Sequence, residues 1–418
     1  MAGAVCPPST DKRRVIIAGG GYAGTTCAVQ LGRNLKRSKV DLDVLMIEPN
    51  PCQQALSELD LVAVGPSRPE FCELWHTQVF RGLPVQMCYN RISDVRPDEH
   101  VVVVGDGQVV PYWRLVIATG AIPFLPPVPG IQEHAITMWS VGDAQELQRR
   151  IADAFKASAR EPDPDRRREL LCFTVVGGGA TGVEIVGTLG QLLPKRMQEA
   201  GLDPQDLRVR LVEGRPEILY DMPADLRQTA IRHLQQLGVE VVTGSMVDSI
   251  SEGVLHLMDG RSVCSNVLVW AGGAKADPHA IDWGLEAASD GRLVADPALR
   301  APGWNDIYVI GDVAAARNPK TNRTLPMLAQ IAIQEGPHTA DNVLREARGD
   351  VPTAFEPHLR GEFVSIGPSW GVGWMYKLKL TGLFAITMKR ITYLKYWLQV
   401  GGIGLTWRRT REMTTMSR

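Results

Sequence analysis

At 418 residues the chain exceeds what one hydrophobic core ordinarily organises, so two or three domains are expected. With 44% hydrophobic and 22% charged residues, and 45 basic against 46 acidic side chains, it is neither a disordered polymer nor a globally cationic nucleic-acid binder. Its charge is unevenly placed, because residues 376–418 hold nine Lys or Arg and one acid, which suits that tail alone to an anionic surface. Seven cysteines, at 6, 27, 52, 72, 88, 172 and 264, form no CxxC or other short pair, a pattern that reads as a reduced, intracellular chain. The opening MAGAVCPPSTDKRR lacks the apolar stretch of a secretory leader, and no window of 18 uncharged apolar residues occurs. Any membrane contact is therefore expected to be peripheral.

The first element is an apolar run, Val15, Ile16, Ile17 and Ala18, which meets Gly19-Gly20-Gly21-Tyr22-Ala23-Gly24 and then a helical pattern through Leu31. A second apolar run over residues 40–47 ends in Glu48, which completes a βαβ unit of dinucleotide-binding form. In that unit Gly19 makes the tight turn, Gly21 admits a pyrophosphate and Gly24 lets helix and strand pack, while Glu48 accepts bonds from ribose hydroxyls. Next come the strand Leu115-Val116-Ile117 with Ala118-Thr119-Gly120, the stiff Pro-rich crossing at 122–129, and a charged stretch at 160–168 read as an exposed loop.

The glycine device then recurs. Phe173-Thr174-Val175-Val176 leads into Gly177-Gly178-Gly179-Ala180-Thr181-Gly182, a helix, the strand Val209-Arg210-Leu211-Val212, and Glu213. Two such units in register imply two dinucleotides in one chain. Glu213 favours NADH, since a carboxylate repels a 2′-phosphate; Arg215 keeps NADPH open. No metal-ligand spacing is present, so no metal is expected.

With these residues in hand, the chain resembles the two-dinucleotide-binding flavoproteins, whose N-terminal site holds FAD. Leu115-Val116-Ile117-Ala118-Thr119-Gly120, Val269-Trp270-Ala271-Gly272-Gly273 and Ile307-Tyr308-Val309-Ile310-Gly311-Asp312 match further elements of that family. The resemblance implies that Asp312 binds the FAD ribityl chain and that Gly311 allows its close approach. It also implies an α/β fold of two Rossmann-like domains plus a C-terminal amphipathic helical region. The expected division is an FAD domain at 10–123, an inserted NADH domain at 124–294, a return to the FAD domain at 295–360, and a basic, aromatic contact region at 361–418.

The acceptor is narrowed by what is missing: a CxxxxC dithiol, a cysteine in the C-terminal third, and an FxGxxxHxxxW stretch. Cys52 is the one thiol near the expected flavin, with a buried small hydrophobe as its plainer role. Residues 325–336 read as a helix opening at Pro326, with Gln330 and Gln334 on one face. This stretch resembles the AQxAxQ element of type II NADH:quinone oxidoreductases, which implies that the two glutamines face a quinone, and that Glu184 matches a glutamate near the nicotinamide. The implied enzyme passes a hydride from NADH through FAD to a quinone, sits on the cytoplasmic face of a membrane, and has a homodimer as an open oligomeric state.

The tail fits that reading. From Leu380, helical spacing puts Phe384, Ile391, Leu394 and Leu398 on one face, Lys389 opposite, and Arg390 and Lys395 on the flanks, with Tyr393, Tyr396, Trp397 and Trp407 as interface-favouring rings. A helix packed on protein is the alternative. The stretch Pro49-Asn50-Pro51-Cys52-Gln53-Gln54-Ala55-Leu56 departs from the respiratory pattern and leaves two other readings open. One is a soluble NAD(P)H-dependent flavin reductase of a pathway metabolite or carrier protein; the other is an apoptosis-inducing-factor-like redox-responsive binding protein.

Overall fold

The computed structural model describes residues 5–8, 10–65, 67–105 and 107–416, so part of the opening segment and Arg418 of the basic tail lie outside the described residues. Its first stretch contains β1 (Arg13–Ala18), α1 (Tyr22–Arg37), β2 (Leu42–Ile47), α2 (Leu59–Ala63), β3 (Gln86–Cys88), β4 (Arg114–Ile117) and β5 (Ala121–Pro123). There follow β6 (Ala135–Thr137), α3 (Val141–Ser158), α4 (Pro164–Leu170), β7 (Cys172–Val176), α5 (Ala180–Glu199), β8 (Arg208–Glu213), β9 (Val239–Thr243), β10 (Ser262–Cys264), β11 (Val267–Trp270) and β12 (Ala274–Ala276). The chain ends with β13 (Ile307–Val309), α6 (Ala329–Ala347), β14 (Gly361–Ser365), β15 (Gly371–Met375), β16 (Leu378–Thr381) and α7 (Leu383–Met416).

Two parallel five-stranded sheets organise the molecule, in the orders β13-β4-β1-β2-β3 and β6-β11-β7-β8-β9. Strands covered on both faces need continuous rather than alternating apolar runs, and β1 obeys: Val15, Ile16, Ile17 and Ala18 are fully buried. The late strand β13 joins the first sheet beside β4, so the chain completes that sheet only after building the second. The crossing is a two-stranded ribbon in which β5 runs antiparallel to β12, with Ala121 opposite Ala276.

Several expectations change. Residues 160–168 are not a plain loop, because Asp163 caps α4 by accepting from the Asp165 amide at 2.9 Å and Pro164 occupies the first turn. Helix α6 begins at Ala329, beyond Pro326, after an extended Leu328. The C-terminal helix expected from Leu380 is present as α7, which kinks at Gly402 and follows an antiparallel sheet of β14, β15 and β16. The chain is also not fully reduced. Cys6 and Cys88 are joined by a disulfide across 82 residues, a separation that gives no spacing signal, whereas Cys27, Cys52, Cys72, Cys172 and Cys264 are free thiols.

Candidate functional site

The first glycine turn lies where β1 ends beside β4. Gly19 has a φ of +109°, and a Cβ there would run into the Ala118 carbonyl, so neither a side chain nor a looser turn fits. A side chain on Gly24 would likewise meet the Gly19 carbonyl, which holds α1 close against the strand. Gly21 differs, because a Cβ built on it meets nothing within 4 Å. It is the N-cap of α1, with no side-chain cap and no acid in the first turn. Open space therefore lies over unclaimed helix-end amides, as an anionic pyrophosphate requires. Thr119 adds a buried hydroxyl without a partner next to Gly120, and these features together fit a dinucleotide.

Glu48 does more than wait for a ribose. Its carboxylate accepts from the Gly20 amide at 2.7 Å and from the Asn50 backbone amide at 2.8 Å, which clamps the turn to the end of β2. The second unit repeats this arrangement. Glu213 accepts from the Gly178 amide at 2.5 Å and from the Arg215 amide at 2.7 Å. A side chain on Gly177 would strike the Ala271 carbonyl and one on Gly182 the Gly177 carbonyl, while Gly179 faces open space at an uncapped N-terminus of α5. Gly272 lies against the Trp270 indole, whose nitrogen donates to the Phe124 carbonyl at 3.0 Å. The Arg215 guanidinium lies 5.1 Å from the centre of the Tyr220 ring.

The Gly311-Asp312 turn follows β13 and meets the first glycine motif. Gly311, at φ +75°, approaches Ala23 so closely that a Cβ would lie 3.0 Å from that methyl group. Its amide donates to Glu335 on α6 at 2.5 Å, and Glu335 is fully buried. Burial, with Asp312 nearby, pushes the Glu335 carboxyl up to about 8. Burial likewise raises Asp312. Helix α6 crosses α1 at Gly336, where a side chain would collide with the Ala23 carbonyl and the Thr26 hydroxyl. Because the folded state holds the Glu335 proton far above the ordinary 4.5, Glu335 is expected to make stability fall as pH rises from there through about 8. Glu335→Gln keeps the acceptor oxygen and removes the proton. Its unfolding free energy, from urea titrations, should fall across the window by on the order of 2–4 kcal/mol less than that of the parent; identical pH dependence would refute the assignment.

The two glutamines of α6 are already engaged. Gln330 donates to the Gly361 carbonyl at 3.0 Å, and Gln334 donates to the His358 carbonyl at 3.2 Å while accepting from the His358 amide at 3.0 Å. They tie the strand entering β14 to the first turn of α6.

Glu184 is 7% exposed and accepts from the Ser365 amide at 3.1 Å and from Lys389 Nζ at 2.6 Å. Lys389 therefore does not face headgroups, as the tail pattern suggested; it is buried on the protein side of α7 and also donates to Ser365 Oγ at 2.9 Å. Burial opposes its charge, but Glu184, Tyr393, Asp60 and Glu58 outweigh burial and hold the ammonium above its usual value. Glu58 and Asp60 are both buried, and Asp60 accepts from Thr188 Oγ1 at 2.6 Å. Burial, partly offset by Lys389, pushes Glu58 up to about 7 and, with added repulsion from Glu184, Asp60 up to about 6. Members of this cluster line two small clefts. One is lined by Tyr22, Gln53, Glu58, Phe71, Tyr393 and Trp397; the other by Leu56, Asp60, Met138, Thr181 and Glu184. Motif reading missed Glu58, Asp60 and Glu335, and it set Lys389 toward solvent although that residue falls in register with Ala385, Ile386, Tyr393 and Tyr396.

Comparison with known proteins adds the decisive observation: the model of the pyridine nucleotide-disulphide oxidoreductases matches residues 13–336. The chain belongs to this family. Among its relatives is a type II NADH:quinone oxidoreductase of Staphylococcus haemolyticus, 28% identical over 402 residues that cover 96% of this chain and 98% of the relative. The protein of that name from Staphylococcus aureus is 27% identical over the same shares. The fold is similar to NDH2 of Plasmodium falciparum in complex with NADH, with a TM-score of 0.85, 16% identity, and coverage of 96% and 98% of the two chains. It is also similar to the sulfide:quinone oxidoreductase of Aquifex aeolicus, with a TM-score of 0.76, 16% identity, and coverage of 94% and 92%.

As a pyridine nucleotide-disulphide oxidoreductase the chain lacks the dithiol the family name implies. Cys52 is 7% exposed, and burial, reinforced by Glu73 and Glu48, pushes its thiol up to about 11, so it is no nucleophile at neutral pH.

Proposed function

We propose that the chain is a type II NADH:quinone oxidoreductase that takes a hydride from NADH onto FAD and delivers two electrons to a quinone. What carries this reading is the pair of dinucleotide cradles in one chain whose relatives of that name match it over nearly their whole length. Domain limits follow the motifs: 10–123 and 295–360 for FAD, 124–294 for NADH, and 361–418 for contact.

The flavin, when bound, supplies the two-electron relay between a hydride donor and a quinone. The protein's own part is binding and positioning. We assign Gly19, Gly21, Gly24, Glu48, Ala118, Thr119, Gly120, Gly311 and Asp312 to FAD, and Gly177, Gly179, Gly182, Glu213 and Gly272 to NADH. Glu184 is assigned to the nicotinamide side, where Lys389 fixes its carboxylate. Gln330 and Gln334 are assigned to the acceptor side, where each must release the 358–361 backbone to bond a quinone carbonyl. Glu213 makes NADH the preferred donor over NADPH.

A membrane surface is the proposed source of the quinone. Supporting it, Leu383, Phe384, Ile391, Leu398, Ile403 and Trp407 are exposed on α7, with Arg390, Lys395 and Arg408 also exposed. Among the described residues no helix is long and apolar enough to cross a membrane. Tyr396 and Trp397, by contrast, are buried against the protein and do not serve as interface rings. The reading predicts a peripheral enzyme on the inner face of a membrane. Replacing Phe384, Ile391, Leu398 and Trp407 by Ser should lower sedimentation with anionic vesicles at least tenfold while the protein stays folded; unchanged sedimentation would refute the surface.

The activity is tested by NADH oxidation against a quinone panel. Rapid turnover with menadione or a short-chain ubiquinone is expected. Turnover confined to a carrier protein or a non-quinone metabolite would replace the proposal.

A further inference from the structure

Two of the free thiols converge on one turn at a place the flavin chemistry does not use. Cys172 opens β7 and Cys264 closes β10. Both sulfurs also reach the final turn of α4: Cys172 Sγ lies 3.3 Å from the Arg168 carbonyl and Cys264 Sγ 3.5 Å from the Glu169 carbonyl. The Cys264 backbone is pinned as well, because its carbonyl accepts from Thr174 Oγ1 at 3.3 Å and from Arg210 Nη1 at 3.2 Å. Cys172 is buried, whereas Cys264 is half-buried and open to a small solute.

The two sulfurs are chemically unequal. The Cys172 thiol, helped by Arg210, holds Cys264 below its usual value despite burial and Glu169, whereas Cys264 and burial push Cys172 upward. One sulfur is accessible and is the more acidic of the two; its neighbour is placed to resolve it. Cys172 is five residues before Gly177 on the same strand, about 16 Å from the dinucleotide turn at the usual rise. The pair is therefore separate from any dithiol that would face the flavin.

We propose that Cys172 and Cys264 form a dithiol that hydroperoxides oxidise reversibly to a disulfide, a modification site at the base of the second sheet. The Cys264 thiolate attacks a peroxide oxygen and the O–O bond breaks, leaving a sulfenic acid and, after protonation, water or an alcohol. The Cys172 sulfur then attacks the Cys264 sulfur, its proton leaves with the hydroxyl as water, and the S–S bond forms. Each cysteine sulfur loses one electron and the peroxide gains two.

The test uses the full-length protein, hydrogen peroxide, alkylation of remaining thiols, and peptide mass spectrometry. A Cys172–Cys264 cross-linked peptide that dithiothreitol removes is expected, with the Cys6–Cys88 link as internal reference. In Cys172→Ser, Cys264 should be captured by dimedone as the sulfenic acid, and in Cys264→Ser both signals should vanish. Separate alkylation of the two thiols after peroxide would overturn the proposal in the unaltered protein, without reliance on any variant. Dimedone capture at Cys27, Cys52 or Cys72 in preference to Cys264 would overturn it equally.

Discussion

Gly21→Asp is expected to purify folded and colourless, and Gly179→Asp to purify yellow yet unable to accept electrons from NADH. A side chain at either position meets nothing within 4 Å, so neither substitution strains the turn. An aspartate at a helix N-cap is in fact slightly stabilising, by a few tenths of a kcal/mol relative to glycine. Its carboxylate, however, occupies the space meant for a pyrophosphate. Two unit charges about 4 Å apart near a protein surface repel by about 4 kcal/mol, or roughly a thousandfold in Kd. Flavin content read from the visible spectrum, and flavin bleaching by NADH under anaerobic conditions, separate the two outcomes. Gly21→Ala adds no charge and should lower flavin content less than Gly21→Asp does. Colourless protein from both aspartate variants would mean that the two cradles are not independent; yellow protein from Gly21→Asp would move FAD elsewhere.

Lys389→Met should be the most destabilising of the substitutions considered, because it leaves Glu58, Asp60 and Glu184 facing one another without a cation. Breaking a buried ion pair by removing one partner costs about 3–5 kcal/mol. The cost should depend on pH. Glu58, at about 7, and Asp60, at about 6, already hold protons above their ordinary values of 4.5 and 3.8, mainly through burial, and Lys389 restrains both shifts. Without Lys389 the folded state binds these protons more tightly still, so the variant loses stability as pH rises above the ordinary carboxyl range and regains it as pH falls. Urea midpoints at about pH 5 and about pH 8 should show the larger deficit at the higher pH. A deficit equal at both would sink the idea. Adding Glu184→Gln should recover part of the loss, since it removes one unpaired charge. Flavin reduction by NADH should also fall in Lys389→Met, because the Glu184 carboxylate that Lys389 fixes is assigned to the nicotinamide side.

Motif-bearing residues were the most legible part of this chain. The turn at Gly19–Gly24 and its repeat at Gly177–Gly182 are local: a strand, a turn that only glycine can make, and a helix whose end is left open. Such units announce themselves because every constraint lies within a few residues. The acids Glu48 and Glu213 were found for the same reason, by distance along the chain, although their second task, clamping the Gly20 and Gly178 amides, required the folded turn to be seen. The capped helix at 164–170 was missed despite its Asp-Pro start, because its charged sequence has no apolar periodicity to follow.

The tail shows where sequence reasoning ends. Two apolar stripes run along α7: Phe384, Ile391 and Leu398 on one side, and Ala385, Ile386, Tyr393, Tyr396 and Val400 on the other. Periodicity alone does not say which stripe is buried. Packing against β14, β15 and the 52–75 segment decides it, and with it the fate of Lys389, which turns from a surface cation into the partner of a glutamate 205 residues earlier.

By itself, then, the order of residues determined an α/β chain with two dinucleotide cradles and the side chains that shape them, because turns, helix ends and buried parallel strands are coded over short distances. Only the tertiary structure decided which carboxyls are buried beside Lys389, that Glu335 backs the Gly311 turn, and that Cys172 meets Cys264. Those pairings depend on which distant segments exclude water together, and no spacing along the chain records that choice.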